Sequence, residues 1–596
     1  MSWRALLAVS LVVVALGCTD RGARGTVAPT GEEDPWSKLR VGDLEGADRV
    51  LEGWLTHPDK RPLAVAGQLR IASLTRDQPR IAQLLGALPE RSPFAIQMVA
   101  AAAAMVDAEL LPAERAVVSA ACPPPPEAAA KPVVRAICAQ AALFDGRDAI
   151  MRCRRGCDGR QRAPLLAAGA LLVVMATVAG SAEPVPFVID TGAATSTLSS
   201  AFVAEHGLTP LSGTMHPIGS SAGAVTSMFV LAPLRLGDRV IEDVRFAVVD
   251  VSVAGVAGIL SPHDVFRDAR VTLDFRERVL EIGPGKAAPP EGMVGTSLLY
   301  QARRPHLLVA VDGRDPRPMA LDTGADRTRL TAELEALGEP WPRSGETGSR
   351  SIGGTLRVGK VTGALVAAAG PVSFELVEPL VYPKLPVAAP FDLGSFGLLG
   401  IDVLDGRVLA FDLPHRRLDL SRDVARRPWP VGAKQELVVS GRDFHDEIVV
   451  AEEVTSRDGD RVVLDVRWSS GEAQEHLRIA LDDDEAARRT WLVTRPIEEA
   501  WSLTGDSPTP LPIEQARQRL AAVMTVFQPK GQGAFDAVIE GGETCGRLTI
   551  PSALDGKAAV ARIVTCPTTP WRVRSVELEQ AGEVVWRLRQ RSTSGG

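Results

Sequence analysis

The stretch APLLAAGALLVVMATVAGSAEPVPFVIDTGAATS, Ala163–Ser196, decides how the middle of this chain folds. Its first half, Ala163–Ala182, is uncharged and mostly apolar, about as long as a membrane-crossing helix. Its second half places Asp190-Thr191-Gly192 at the end of an apolar segment. A second copy separates the two readings. PHLLVAVDGRDPRPMALDTGADRTRL, Pro305–Leu330, carries the same triplet 132 residues on (322 − 190). At that offset Pro184 faces Pro316, Pro186 faces Pro318, Ile189 faces Leu321 and Leu198 faces Leu330. In the second copy Asp312, Arg314 and Asp315 break the apolar run, which is too short to span a bilayer. It reads as strand, turn at Asp312-Gly313, strand. The first copy is therefore expected to be the same hairpin, buried on both strands and turning near Gly180-Ser181.

Outward from the two triplets the order of features repeats. The first unit continues with PIGSSAG (Pro217–Gly223), LRLGDRVIEDVRFAVVD, GILSPHDVF and VTLDFRERVLEIG. The second continues with SIGGTLRVGK (Ser351–Lys360), GLLGIDVLDG and LAFDLPHRRLDLS. Each is a strand ending in Asp-Thr-Gly, then a glycine-containing hairpin, a strand pair, a Gly-aliphatic segment and a closing strand. The units are expected at 165–284 and 296–421, joined by the Pro/Gly-rich Gly283–Gly292.

Each unit resembles one lobe of a retropepsin-like aspartic protease. LDTGADRTRL is similar to that family's active-site segment, SIGG to its flap tip, and GLLGIDVL to the aliphatic segment packed behind the catalytic loop. Neither candidate flap holds a tyrosine, so the lobes are retropepsin-like rather than pepsin-like. The resemblance implies an all-β core whose two lobes pair within one chain, as a monomer. Asp190 and Asp322 would form a catalytic dyad, with Thr191 and Thr323 bonding across it. Flap residues Ile218 and Gly219, and Ile352, Gly353 and Gly354, would close over a peptide or protein substrate. No metal or cofactor is implied. The chemistry fits the residue types: two carboxylates in a dry cleft share one proton, so one acts as base on water while the other polarises a carbonyl. Gly192 and Gly324 would let the loops approach closely. The first unit departs from the pattern at Ser261, where the second has Gly400. The alternative is a catalytically silent lobe pair serving as a protein-binding scaffold.

The flanks complete a multidomain chain of 596 residues. MSWRALLAVSLVVVALGC has one Arg4, an apolar run and Gly17-Cys18, the layout of a secretory signal, residues 1–18, and it resembles a bacterial lipobox with Cys18 lipidated. Export to the cell envelope and a membrane anchor through Cys18 follow from that reading. Residues 19–35 read as a tether. Residues 36–160 have helical periodicity, with LEGADRVLEGWL and PRIAQLLGAL aligned at an offset of 33 (80 − 47). Residues 435–596 alternate as strands, with PIEQARQRLAAVMTVF as the helix candidate. The net charge of −7, with interspersed signs, gives no basic footprint for nucleic acid. Of seven cysteines, six remain beside Cys18, enough for three disulfides; Cys545–Cys566 is one expectation and Cys153–Cys157 a small-loop candidate. His263 and His415 read as surface or loop residues.

Overall fold

The computed structural model describes residues 34–87, 151–422 and 431–594, with four single positions between 116 and 126. Breaks fall at 169–170, 180, 212–215, 221–222, 251–254, 302–303, 352–353, 383–392, 395, 405, 443, 445, 459–460, 471–472, 483–496, 505–506, 522–527, 530–532, 541, 555–556 and 567–572. The expected signal, Cys18, most of the tether, Ile352 and Gly353 lie outside the described residues.

The Ala163–Ala182 run is strand, not helix. Gln161–Pro164, Leu166–Ala168 and Leu171–Val178 cover it. No helix among the described residues is long and apolar enough to cross a membrane. Leu171–Val178 pairs antiparallel with Val185–Ile189, Val173 opposite Val188 and Ala176 opposite Val185. Strand alternation sends Leu172, Val174 and Ala176 into the main core, and Val173 and Met175 to the other face. The second copy pairs Arg304–Val311 with Arg317–Leu321, His306 opposite Ala320. Its turn is at Asp312-Gly313, with φ of 53° and 73°, and Arg314 N donates to Val311 O at 3.0 Å. Positive φ at both central positions is the primed turn whose twist suits a hairpin, and Asp-Gly is a favoured pair for it.

The repeat holds at the level of register. A leading hairpin sets Leu166 opposite Val173 in the first lobe and Leu299 opposite His306 in the second. The triplet strand then runs parallel to the Gly-aliphatic strand: Val188 beside Ile259, and Ala320 beside Leu398. That strand in turn runs antiparallel to the segment after the triplet, Leu198 opposite Gly258 and Leu330 opposite Gly397. Here glycine is a packing requirement, because a Cβ on Gly258 would lie 1.9 Å from Thr197 O and one on Gly397 2.5 Å from Arg329 O.

A six-stranded sheet joins the lobes. Its order is Met293–Ser297, Arg417–Ser421, Val408–Asp412, Arg270–Asp274, Val279–Gly283 and Gln161–Pro164. At its centre the closing strands of the two lobes pair antiparallel, Arg270 opposite Asp412 and Asp274 opposite Val408. One apolar core runs through both lobes and this sheet.

The first lobe recruits chain ahead of residue 165. Arg152–Arg155 pairs with Arg239–Val249, and Gln161–Pro164 with Val279–Gly283, so these segments are strands rather than the helix expected up to residue 160. The Cys153–Cys157 and Cys545–Cys566 disulfides are present, and Cys122 is disulfide-bonded.

Among the described residues the helices Pro35–Val41, Leu44–Trp54, Arg61–Leu74 and Gln78–Gly86 precede the lobes. Asp34, Asp43 and Asp77 cap three of them by accepting backbone N–H bonds. Apolar residues of the first three helices, Leu39, Leu51 and Leu74 among them, cluster with Leu299 and Leu393 of the second lobe. The C-terminal region is one antiparallel twelve-stranded sheet with the helix Ile513–Ala521, and has its own core.

Candidate active site

Both Asp-Thr-Gly loops leave a central strand at the same height. Asp190 N donates to Leu260 O and Asp322 N to Leu399 O, each at 3.0 Å, which fixes each loop to its neighbouring Gly-aliphatic strand. The loops then curl back on their own carboxylates. Gly192 N and Ala193 N donate to Asp190 Oδ1 at 2.7 and 3.1 Å, and Gly324 N donates to Asp322 Oδ1 at 3.0 Å.

The loops meet through a reciprocal bond set. Thr191 N donates to Thr323 Oγ1 at 3.1 Å, and Thr323 N to Thr191 Oγ1 at 3.0 Å. Each hydroxyl donates onward across the lobe boundary, Thr191 to Leu321 O at 3.0 Å and Thr323 to Ile189 O at 2.9 Å. Both threonines are fully buried. Each hydroxyl thus has a donor and an acceptor partner, so neither side chain has freedom to rotate.

The glycines set how close the carboxyls come. A Cβ on Gly192 would lie 2.3 Å from Asp322 Cγ, and one on Gly324 2.6 Å from Asp190 Cγ. Each carboxyl therefore sits against the other lobe's loop. Burial, the Asp322 charge and a hydrogen bond with Asp322 push the Asp190 carboxyl up to about 8, against the Gly192 amide and the Arg304 charge, which pull it down. Burial and the neighbouring carboxylate thus favour the protonated form of Asp190.

A second layer supports the loops, and sequence reading did not single it out. Thr328 N and Oγ1 donate to Asp402 at 2.9 and 2.8 Å, and Gly400 N donates to Thr328 Oγ1 at 3.1 Å. The first lobe repeats this with Ser196 N donating to Asp264 Oδ2 at 3.2 Å and Ser261 N to Ser196 Oγ at 3.0 Å. The signal was there: Ser196 and Thr328 both stand six residues after their aspartates. Ser261, in the place of Gly400, is buried and bonds His263 Nε2 at 3.0 Å. His263 is 1% exposed, so it is a core residue rather than the surface or loop residue expected. The chain bends inward at Pro262–Val265, and that short helix buries it. His415 is a partly exposed turn residue bonded to Asp412 at 2.7 Å.

Three of the expected flap residues, Ile218, Gly219 and Gly354, lie in two hairpins. Ile218 and Gly219 lie in His216–Ser220, paired with Gly223–Ser227. Gly354 opens Gly354–Val361, paired with Arg343–Ser351.

Residues 174–263 match the family model described as aspartyl protease. No curated protein sequence matches the chain. Among solved structures, the aspartic proteinase from Irpex lacteus is similar at 14% identity and a TM-score of 0.32, over 44% of this chain and 97% of that one. A structure titled edgp is similar at 9% identity and a TM-score of 0.29, over 44% and 95%. The family match contains Asp190, its glycine and the supporting Ser196, so the first lobe carries an aspartic-protease-like fold around its Asp-Thr-Gly loop.

Proposed function

We propose that this chain is an aspartic endopeptidase whose two lobes build one active site in a monomer. The observation that carries the reading is reciprocal: each triplet glycine faces the other lobe's carboxyl, while each threonine bonds the other lobe's loop. A single proton shared by Asp190 and Asp322 gives the pair one acid and one base at once. The ionised carboxylate takes a proton from a water between the two, and that oxygen attacks the peptide carbonyl carbon. The protonated carboxyl donates to the carbonyl oxygen, giving a neutral gem-diol. Collapse then moves a proton to the leaving amine and breaks the C–N bond, returning one proton to the pair. Thr191 and Thr323 hold the carboxyls in place and exchange no proton. The paired hairpins His216–Ser227 and Arg343–Val361 would cover an extended peptide.

The test is cleavage of a mixed peptide library by the purified full chain, with sensitivity to a statine-type transition-state mimic. Wild-type turnover that vanishes in Asp190→Asn and in Asp322→Asn supports the reading; turnover unchanged in either variant overturns it. A wild type that cleaves nothing from acid to neutral pH favours the silent scaffold instead.

The proposal includes export and anchoring through Cys18. The disulfides Cys153–Cys157 and Cys545–Cys566 fit an oxidising compartment. Mass spectrometry of the mature N-terminus checks this: acylated Cys18 is expected, and a free N-terminus cut elsewhere rules it out.

A further inference from the structure

The C-terminal sheet reaches the first lobe beside the catalytic loop. Residues i and i+2 of a strand face the same way. Asp190 aims its carboxyl at Asp322, so Val188, two residues earlier, opens on the same side. Ile259 lies next to Val188 in the parallel pair, and Val173 opposite it in the antiparallel pair. These side chains are separate from the lobe core, which takes Phe187, Ile189 and Leu260. They form an apolar wall flanking the dyad, with Ala193 of the catalytic loop at its edge.

Phe535, from the C-terminal strand Ala534–Glu540, packs on that wall and is 2% exposed. Ala537, two residues on, faces the same cluster. The fit extends to the backbone. Gly255 has φ of +87°, and a Cβ on it would lie 1.9 Å from Phe535 O, so only glycine lets the two segments approach this closely.

We propose that the C-terminal region self-blocks the cleft, Phe535 occupying the apolar wall that a large apolar substrate side chain must use. This rests on the protease reading above. An occupant tethered in the same chain competes at an effective concentration no dilute peptide matches. Cleavage then requires the strand bearing Phe535 to leave, and substrates with an aromatic or large aliphatic side chain displace it best.

Kinetics on the full-length chain test this, together with calorimetric binding of a statine-containing peptide. Phe535→Ala removes the plug. Ala537→Glu is a second variant that puts a charge into the seam without cutting a cavity in either unit. Phe535→Leu keeps the contact apolar. Melting midpoints select variants that remain folded. The expected result is kcat/KM up about tenfold or more in Phe535→Ala and Ala537→Glu, carried mainly by a lower KM, with tighter statine-peptide binding and with Phe535→Leu close to wild type. Equal or lower kcat/KM in both disrupting variants, with the wild type active, overturns the plug and leaves the protease reading standing. No cleavage and no statine-peptide binding in any variant overturns the protease reading and the plug with it.

Discussion

The two lobes share a frame and differ in what covers it. In the first lobe the leading hairpin offers Leu166, Leu171 and Val173, and the C-terminal strand covers them with Phe535. At the same places the second lobe has Leu299, Arg304 and His306. The N-terminal helices cover Leu299, and Arg70 from Arg61–Leu74 lies close enough to act on His306. Burial, with the Arg304 and Arg70 charges, lowers His306 to about 4, against its bond to Arg304 O at 2.9 Å. His306 is thus neutral and donates through Nδ1. Nearby, Arg76 stacks 3.8 Å from the Tyr300 ring centroid, and burial raises that phenol to about 12 despite the arginine. The equivalent hairpin face is therefore met by apolar side chains in the first lobe and by the charges of Arg304 and Arg70 around a neutral His306 in the second. Pairing register survives the change from Leu171 and Val173 to Arg304 and His306, because register depends on backbone bonds and on the inward-facing residues.

Symmetry at the dyad makes the strongest prediction. Asp190→Asn and Asp322→Asn should each lower kcat by about a thousandfold or more, and the double variant should be little worse than either, because one shared proton is lost each time. Steady-state kinetics on all three decide it. A single variant keeping a tenth of wild-type activity would break the symmetric account.

The interlobe sheet predicts a strong asymmetry in stability. Buried Arg270 bonds Asp419 and lies 3.4 Å from Asp412, while Arg417 Nε donates to Asp419 at 2.6 Å. Across the pseudo-twofold, Glu281 takes the place of Asp419 and, among the described residues, its ion-pair partners are the exposed Arg160 and Arg162, at 3.4 and 3.7 Å. Arg270→Met should cost about 3–5 kcal/mol of unfolding free energy by stranding buried carboxylates. Glu281→Gln should cost under about 1 kcal/mol. Urea titration measures both, and equal costs would refute the contrast.

Ser261 and Gly400 sharpen the comparison further. A Cβ on Gly400 would lie 2.5 Å from the Arg327 carbonyl carbon, so Gly400→Ser should destabilise by about 1–3 kcal/mol. Ser261→Gly gives up its bond to His263 and should cost about 1 kcal/mol. Denaturation midpoints that rank the two the other way would mean the first lobe's loop is the tighter.

The smallest effect is on pH. With Asp190 raised to about 8, the basic limb of rate against pH should fall near 8. The Arg304 charge lowers that carboxyl, so Arg304→Gln should move the limb upward by a fraction of a unit. A limb that stays still shows the cation to be electrostatically silent. Linked stability has a definite sign. Between 3.8 and about 8 folded Asp190 keeps a proton that the unfolded chain releases, so its contribution is lost as pH rises through that window. Asp412 runs the other way. Burial would raise it, but the Lys286 amide, His415 and Arg270 hold it below the usual carboxylate range. Its contribution is present above 3.8 and lost as pH falls.

The sequence by itself determined the frame of the repeat. Two Asp-Thr-Gly triplets, the Asp312-Gly313 turn and the alternation around them specify strands locally, through turn chemistry and side-chain period. Comparing the copies turned an apparent membrane span into a hairpin, because charges in one copy report on the geometry of both. The carboxyls, threonines and glycines were legible for the same reason. Only the tertiary structure decided what lies against them. Nothing near Val188 in the chain says that Phe535, more than three hundred residues away, packs in the same apolar cluster. Nothing near His306 points to Arg70. Ser196, Thr328, Asp264 and Asp402 look like ordinary polar residues until the fold buries them beside one another. Hydrophobic burial is non-directional, so a sequence fixes which faces must be covered and leaves the choice of cover to the whole chain's packing.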